Sequence, residues 1–137
     1  MRFLLDTCVV SELCKPRPAE AVVAWVEQTP EHDLALSVMT LGELQKGVDR
    51  LAPGRRRDRL AEFLESVAAR FDERLLPVTV DVARSWGSLC ATAVDRGKPV
   101  SGIDAIIAAT AKVHALTVVT RNVSDFAPTA VKTLNPF

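Results

Sequence analysis

Four acidic residues fall at points where apolar segments end or helical segments begin. They are Asp6, after an apolar N-terminal run; Glu43 and Asp104, each near the start of a predicted helix; and Asp125, after a late apolar segment. Carboxylates that share a pocket repel one another, so at least one pKa rises unless a cation joins them. Oxygen ligands without His or Cys are those that Mg²⁺ or Mn²⁺ prefers. Because such an ion activates water and steadies a phosphate, the spacing indicates metal-dependent phosphate chemistry.

Each acid taken alone also has a structural interpretation. Residues 40–43 (TLGE) and 101–104 (SGID) both fit the capping box, in which the last side chain reaches back to the first N–H. Asp125 is suited to cap a turn before the FAP sequence that follows it. Asp6 resists such an account, since a buried carboxylate is costly and no cation lies nearby in sequence. Taken together, the four acids favour a shared divalent cation.

Strands and helices alternate along the chain that must position these acids. Apolar runs predict strands at 2–6, 34–37, 75–76, 117–120 and 131–134. Helical periodicity predicts helices at 19–28, 40–51, 55–71, 82–97 and 103–116. This alternation predicts an α/β fold, with three α/β/α layers around a mainly parallel sheet. Ligands bind at the carboxyl ends of such strands, so the four acids are expected at one edge.

The bulk composition excludes several classes of protein. The 137 residues are 48% hydrophobic and 25% charged, which is typical of a globular domain. The chain has 17 Lys and Arg residues and 17 Asp and Glu residues, so its net charge of zero does not indicate a nucleic-acid or membrane partner. We expect no membrane partner and a cytoplasmic location, because no apolar stretch reaches membrane length and no signal peptide begins the chain. The three cysteines have no metal-site spacing and are interpreted as reduced.

Four segments resemble one known family over nearly the whole chain, from Phe3 to Phe137. FLLDTCVVSEL, SVMTLGELQKGV, GKPVSGIDAIIAATAKVHALTVVTRNVSDF and the closing LNPF are similar to PIN-domain proteins of the VapC/FitB-like toxin group. The resemblance implies a single PIN domain over residues 1–137. It also implies an Mg²⁺-dependent endoribonuclease acting on cellular RNA, a cognate antitoxin protein, and a homodimer or a dimer of dimers.

The resemblance also implies roles for individual residues. The first three acids of the family correspond to Asp6, Glu43 and Asp104, which would hold Mg²⁺, with Mn²⁺ as the alternative ion. The fourth position is either Asn122 or Asp125; we favour Asp125 as the acid and Asn122 as a neutral oxygen that holds water.

Three further residues are candidates for supporting the site. Ser101 and Thr120 orient a water or a carboxylate, or else act as caps. Arg121 is a candidate for steadying a phosphate. The dense basic stretch at 54–59 has three interpretations: a solvated face, a contact with RNA phosphates, or a docking surface for an acidic antitoxin segment.

Two other functions compete with the nuclease. A phosphatase of the haloacid-dehalogenase type needs a second Asp two residues after the first, where this chain has Cys8. A non-catalytic PIN-like module that binds nucleic acid or protein has no need of a repulsive acid cluster. The sequence leaves open the target RNA, its cleavage motif, the antitoxin family and the number of metal ions.

Overall fold

Five short parallel strands form the central sheet of the computed structural model, which describes all 137 residues. Their order is β3-β2-β1-β4-β5, and all four neighbouring pairs are parallel. The strands are β1 (Phe3–Leu5), β2 (Leu34–Ser37), β3 (Leu75–Leu76), β4 (Thr117–Val119) and β5 (Thr133–Leu134). The predicted parallel α/β class is confirmed.

Seven α-helices and three short 3₁₀ turns connect the strands. The helices are α1 (Thr7–Cys14), α2 (Glu20–Gln28), α3 (Val38–Arg50), α4 (Arg55–Phe71), α5 (Val80–Asp95), α6 (Gly102–His114) and α7 (Val123–Phe126). The 3₁₀ turns span Glu31–Asp33, Asp72–Arg74 and Ala127–Thr129. No helix combines the length and the apolar content needed to cross a membrane.

Successive strand residues point to opposite faces of the sheet and so build two cores. Leu4 and Val118 belong to a cluster with residues of α5 and α6, whereas Leu5 and Val119 belong to a cluster with residues of α1, α2, α3 and α4. Helix α6 lies close against its side of the sheet, since residues 105 and 107–111 are buried and four of these six are alanine. The result is the predicted arrangement of three layers.

The start of α3 differs from the prediction. The helix begins at Val38, and the Ser37 hydroxyl caps it by accepting a hydrogen bond from the Met39 N–H at 3.0 Å. The capping box at residues 40–43 was therefore wrong: Thr40 lies inside the helix, and Glu43 is in its second turn. Ser37 has two roles, as the last residue of β2 and as the cap of α3, which hid the true helix start.

Candidate active site

The chain reverses its direction across the sheet between β1 and β4. From β1 it builds outward through β2 to β3, and it then returns to the other side of β1 with β4 and β5. Two neighbouring strands whose connections leave in opposite directions open a crevice at their carboxyl ends, where α/β proteins bind ligands. Asp6 directly follows β1 and Thr120 directly follows β4, so both lie at this switch point.

The Asp6 carboxylate is buried and held by three neutral donors. Its Oδ2 accepts a hydrogen bond from Thr120 Oγ1 at 2.8 Å and from Cys8 Sγ at 3.4 Å. Its Oδ1 accepts from the Thr7 N–H at 2.8 Å. Burial raises the pKa of the Cys8 thiol, which keeps it protonated as a donor. These bonds fix the orientation of the Asp6 side chain, yet none of them supplies a positive charge.

Glu43 reaches the same place from α3. Its Oε1 accepts a hydrogen bond of 2.6 Å from Thr7 Oγ1, and Thr7 Oγ1 also lies 3.1 Å from the hydroxyl of the fully buried Thr40. Because Thr7 follows Asp6 directly, its backbone N–H binds one acid while its hydroxyl binds the other. One residue therefore sets the relative position of the first two carboxylates.

Asp104 stands in the first turn of α6, as predicted. Ser101 is the N-cap of this helix and accepts a hydrogen bond from the Asp104 N–H at 3.3 Å, which confirms its capping role. Burial raises the pKa of the Asp104 carboxyl. The negative charges of Asp6, Asp125 and Glu43 act in the same direction, against a hydrogen bond from Ser101. The other three predicted acids thus all lie within electrostatic reach of Asp104.

The two candidates for the fourth position lie at α7, a four-residue helix that the sequence did not predict: Asp125 is in the helix and Asn122 is its N-cap residue. The Asp125 side chain is exposed, and its negative charge contributes to the raised pKa of Asp104. Asn122 is also exposed, and its backbone N–H donates to Thr120 Oγ1 at 2.9 Å. Asn122 thereby supports the threonine that holds Asp6, whereas Asp125 adds charge to the acid pocket.

The donor chemistry of the pocket fits a hard divalent cation. Several carboxylates face one another without a basic partner, and their repulsion is felt at Asp104. No three acidic, histidine or cysteine side chains are grouped tightly enough to ligate one ion together. Mg²⁺ in proteins commonly keeps several bound waters and has only one or two carboxylate ligands, so this looser arrangement of acids is compatible with an Mg²⁺ site. The residues that could hold such an ion are Asp6, Glu43, Asp104 and Asp125.

Residues 3–131 of the chain match the family model described as PIN domain. The chain belongs to the PIN domain family. It is similar to Toxin FitB of Neisseria gonorrhoeae, 41% identical over 136 residues that cover 98% of each protein. It is also similar to the VapC ribonuclease Y4jK of Sinorhizobium fredii, 38% identical over 98% of this chain and 97% of that protein. The resemblance in the sequence is therefore confirmed.

Solved structures of related proteins share the same fold. The crystal structure of FitAcB from Neisseria gonorrhoeae matches with a TM-score of 0.91 at 41% identity, covering 98% of this chain and 97% of that one. A member of the VapBC family of toxin–antitoxin systems, VapBC-5 from Mycobacterium tuberculosis, matches with a TM-score of 0.74 at 33% identity over 97% and 95% of the two chains. The acid pocket therefore belongs to a PIN fold with a parallel, five-stranded sheet.

Arg121 follows the site residue Thr120 in this PIN domain but faces another group. Its guanidinium stacks over the Phe137 ring at 3.9 Å from the centroid, and it lies 3.9 Å from a carboxylate oxygen of the buried Glu12. Glu12 also accepts hydrogen bonds from Lys15 Nζ at 2.9 Å and from the Ala19 N–H at 3.0 Å. The cation nearest the site in sequence is thus engaged elsewhere, so it does not balance the acids.

Three residues of the hydrogen-bond network around the acids were not predicted as site residues. Thr7, Cys8 and Thr40 all belong to the network around Asp6 and Glu43. A signal existed for Thr7 and Cys8, because both directly follow the acid at the end of a buried strand. No signal existed for Thr40, whose hydroxyl meets a residue 33 positions away.

Proposed function

We propose that this protein is the toxin of a bacterial toxin–antitoxin pair and acts in the cytoplasm as an Mg²⁺-dependent endoribonuclease. The observation that carries the proposal is the meeting of Asp6, Glu43 and Asp104 at the switch point of the sheet, with no cation of the chain to balance them. Relatives named as a ribonuclease and as a toxin support the activity and the role. A pocket of mutually repelling acids is costly for a protein that only binds nucleic acid, which disfavours the binding-module alternative.

The site residues divide the work of phosphodiester hydrolysis. A bound Mg²⁺ would lower the pKa of a water and offset the charge of the scissile phosphate. Thr120 and the Thr7 N–H hold the Asp6 carboxylate in one orientation, and the Thr7 hydroxyl holds Glu43. Burial around Asp6 excludes bulk water, which strengthens each charge interaction in the pocket. Carboxylate oxygens left free by these bonds are positioned to accept a proton from the attacking water.

Neutralising the first or the third acid tests the activity. Asp6→Asn and Asp104→Asn should each lower Mg²⁺-dependent cleavage of total RNA by about 100-fold or more, the scale on which a positioned catalytic group contributes. Asp95→Asn is the matched control, because Asp95 is exposed at the end of α5 and binds no other side chain. Wild-type cleavage by either site variant would refute the assignment, and RNA binding by a wild-type protein that never cleaves would establish the binding module.

An apolar groove gives the antitoxin partner a suitable surface. One related structure is described as a member of the VapBC family of toxin–antitoxin systems, and this chain has an apolar groove of about 770 Å³ between α1, α2 and α4. We propose that an apolar segment of the cognate antitoxin occupies it, against residues that include Leu13, Val23, Val26, Phe63 and Phe71. Self-association into a homodimer or a dimer of dimers belongs to the same proposal, and the exposed Trp86 and Val94 on α5 give it an apolar surface.

A further inference from the structure

Helix α3 has two basic side chains on the face that bears Glu43, and both lie farther along the helix from the acid pocket than Glu43 does. Lys46 and Arg50 follow Glu43 by three and seven residues, which places all three on one side of the helix. At 1.5 Å per residue, the two cations lie about 4.5 and 10.5 Å from Glu43 along the helix axis. Both are exposed and neither forms an ion pair. Asp49, the acid between them, is bound by Gln45 at 3.0 Å instead.

Helix α4 begins with more unpaired cations where α3 ends. Arginines stand at positions 55, 56, 57 and 59, and none of them takes part in an ion pair. Cations at a helix N-terminus oppose the helix dipole, so helix stability does not account for them. Residues 46–59 contain six basic and two acidic side chains, a net charge of +4 in a chain whose total is zero.

The packing of α3 on α4 brings the two groups of cations together. Gly47 of α3 faces Leu60 of α4, where a Cβ at Gly47 would lie 3.5 Å from the leucine Cδ2. Arg56 is one turn before Leu60 on α4, and Arg50 is one turn after Gly47 on α3. The Cys14 thiol at the end of α1 has its pKa raised by burial, and the charge of Arg59 acts against that rise. The basic stretch therefore stands beside α1 and α3, two of the helices that begin at the acid pocket.

We infer that a basic track, made of Lys46, Arg50, Arg55 and Arg56, binds the phosphates of single-stranded RNA that leaves the acid pocket along α3. The inference rests on the proposed function and assigns a substrate-binding surface to the same site. An acidic pocket repels a polyanion, so a positive surface beside it raises the local concentration of substrate. Arginine forks match phosphate oxygens in pairs, and such contacts hold the strand without reading its bases.

The surface chemistry favours RNA over a protein partner. Protein interfaces have an apolar and aromatic centre, whereas none of the exposed large hydrophobic side chains lies between residues 46 and 59. The apolar groove described above lies between α1, α2 and α4 and contains none of the four track residues. A basic surface that has no exposed apolar side chains is suited to bind a flexible phosphate backbone.

Two double variants test the track against a matched control. Lys46→Gln/Arg50→Gln and Arg55→Gln/Arg56→Gln each remove two positive charges. Lys112→Gln/Lys132→Gln removes the same charge from residues that precede β4 and β5, at the opposite edge of the sheet. Lys112 also matches Arg50 in standing in the last turn of its helix. Each is made in the cleavage-deficient Asp104→Asn background, and binding of a fluorescein-labelled single-stranded RNA is followed by anisotropy in Mg²⁺ at several salt concentrations.

Each track variant should weaken RNA binding by about 25-fold at 0.1 M salt, since a contact with a single strand contributes a salt slope of about 0.7. The slope of log K against log salt should fall by about 1.4 in the track variants and stay unchanged in the control. Equal losses in track and control variants, or wild-type binding by the track variants, would overturn the inference.

The remaining outcomes separate this inference from the proposed function. Track variants that bind RNA normally but no longer bind the antitoxin in a pull-down would assign the surface to protein and overturn the inference. A wild-type protein that does not cleave RNA would refute the nuclease, whereas the anisotropy experiment would still report on the track. If Lys46→Gln/Arg50→Gln fails to fold, the α4 pair decides, because removing cations from a helix start does not destabilise the helix.

Discussion

Replacing Thr7 by Val isolates the bond that couples the first two acids. Valine has nearly the shape of threonine, so the change removes a hydroxyl and little else. The lost contact is the 2.6 Å hydrogen bond from Thr7 Oγ1 to Glu43 Oε1. The backbone N–H of residue 7 remains, so Asp6 keeps its bond at Oδ1. Thr7→Val therefore frees Glu43 while leaving Asp6 in place.

Two estimates of the effect agree. A hydrogen bond to a charged group is worth about 1.5–3 kcal/mol, although Thr7 is only partly buried and the lower end applies. Partners that orient a metal ligand typically contribute about 10–100-fold in metal affinity, which equals about 1.4–2.8 kcal/mol at 1.4 kcal/mol per tenfold. We expect the dissociation constant for Mn²⁺ to rise about tenfold in Thr7→Val. Thr7→Ser, which keeps the hydroxyl, should bind Mn²⁺ like the wild type.

The assay is an Mn²⁺ titration by calorimetry, accompanied by thermal unfolding without metal. Thr7→Val also removes the hydroxyl that lies beside the buried Thr40 hydroxyl, so we expect the free energy of unfolding without metal to fall by about 1 kcal/mol. A loss of stability without a change in Mn²⁺ affinity would show a structural effect of the substitution only. Wild-type Mn²⁺ affinity in Thr7→Val, whatever its stability, would refute the role of Thr7 in positioning Glu43. Weak Mn²⁺ binding in Thr7→Ser as well would show that the hydroxyl is not the group that matters.

Three other predictions follow from single contacts. Asp125→Asn should weaken Mn²⁺ binding more than Asn122→Ala does, because Asp125 adds charge to the pocket whereas Asn122 acts through its backbone; the reverse order in calorimetry would assign the fourth position to Asn122. The hydrogen bond from Lys15 holds the pKa of Glu12 below its ordinary value, so Glu12→Gln should lower the Tm at pH 7. The Tm difference between the wild type and Glu12→Gln should disappear as the pH falls through the native pKa of the Glu12 carboxyl, because a lowered native pKa stabilises the fold only while the group is ionised. A Tm difference that persists in acid would show that Glu12 stabilises the fold by packing and not by its charge. Val26→Glu should place a charge in the apolar groove and weaken antitoxin binding in a pull-down by about tenfold or more while leaving RNA cleavage unchanged; full antitoxin binding would exclude the groove.

Much of the fold could be predicted because its signals are local. Residues 55–71 follow helical periodicity throughout, and α4 has those bounds. The strand at 34–37 was also predicted with its observed bounds. Parallel pairing followed from the alternation of strands and helices, and it placed the acids at one edge of the sheet. The positions of Asp6 and Asp104 relative to their elements needed nothing beyond that pattern.

Contacts between distant residues could not be predicted in the same way. The bond from Thr7 to Glu43 spans 36 positions and exists because β1 lies beside β2, so that α1 and α3 begin next to each other. The capping box at residues 40–43 was a plausible local pattern, yet Ser37 caps α3. Helix α7 has only four residues, too few for any periodicity to reveal. Each of these features depends on tertiary structure.

The zero net charge of the chain conceals a separation of charge that bears on its function. Acids gather near the carboxyl ends of β1, β2 and β4, and Arg121, which directly follows the site residue Thr120, is turned toward Phe137 and Glu12. Positive charge gathers instead along α3, about one to two helical turns from Glu43, and at the start of α4. A nuclease that balanced its acids with its own arginines would have little affinity left for a divalent ion. On the proposed function, this separation would leave the pocket free for a metal ion while the neighbouring basic track would attract the RNA.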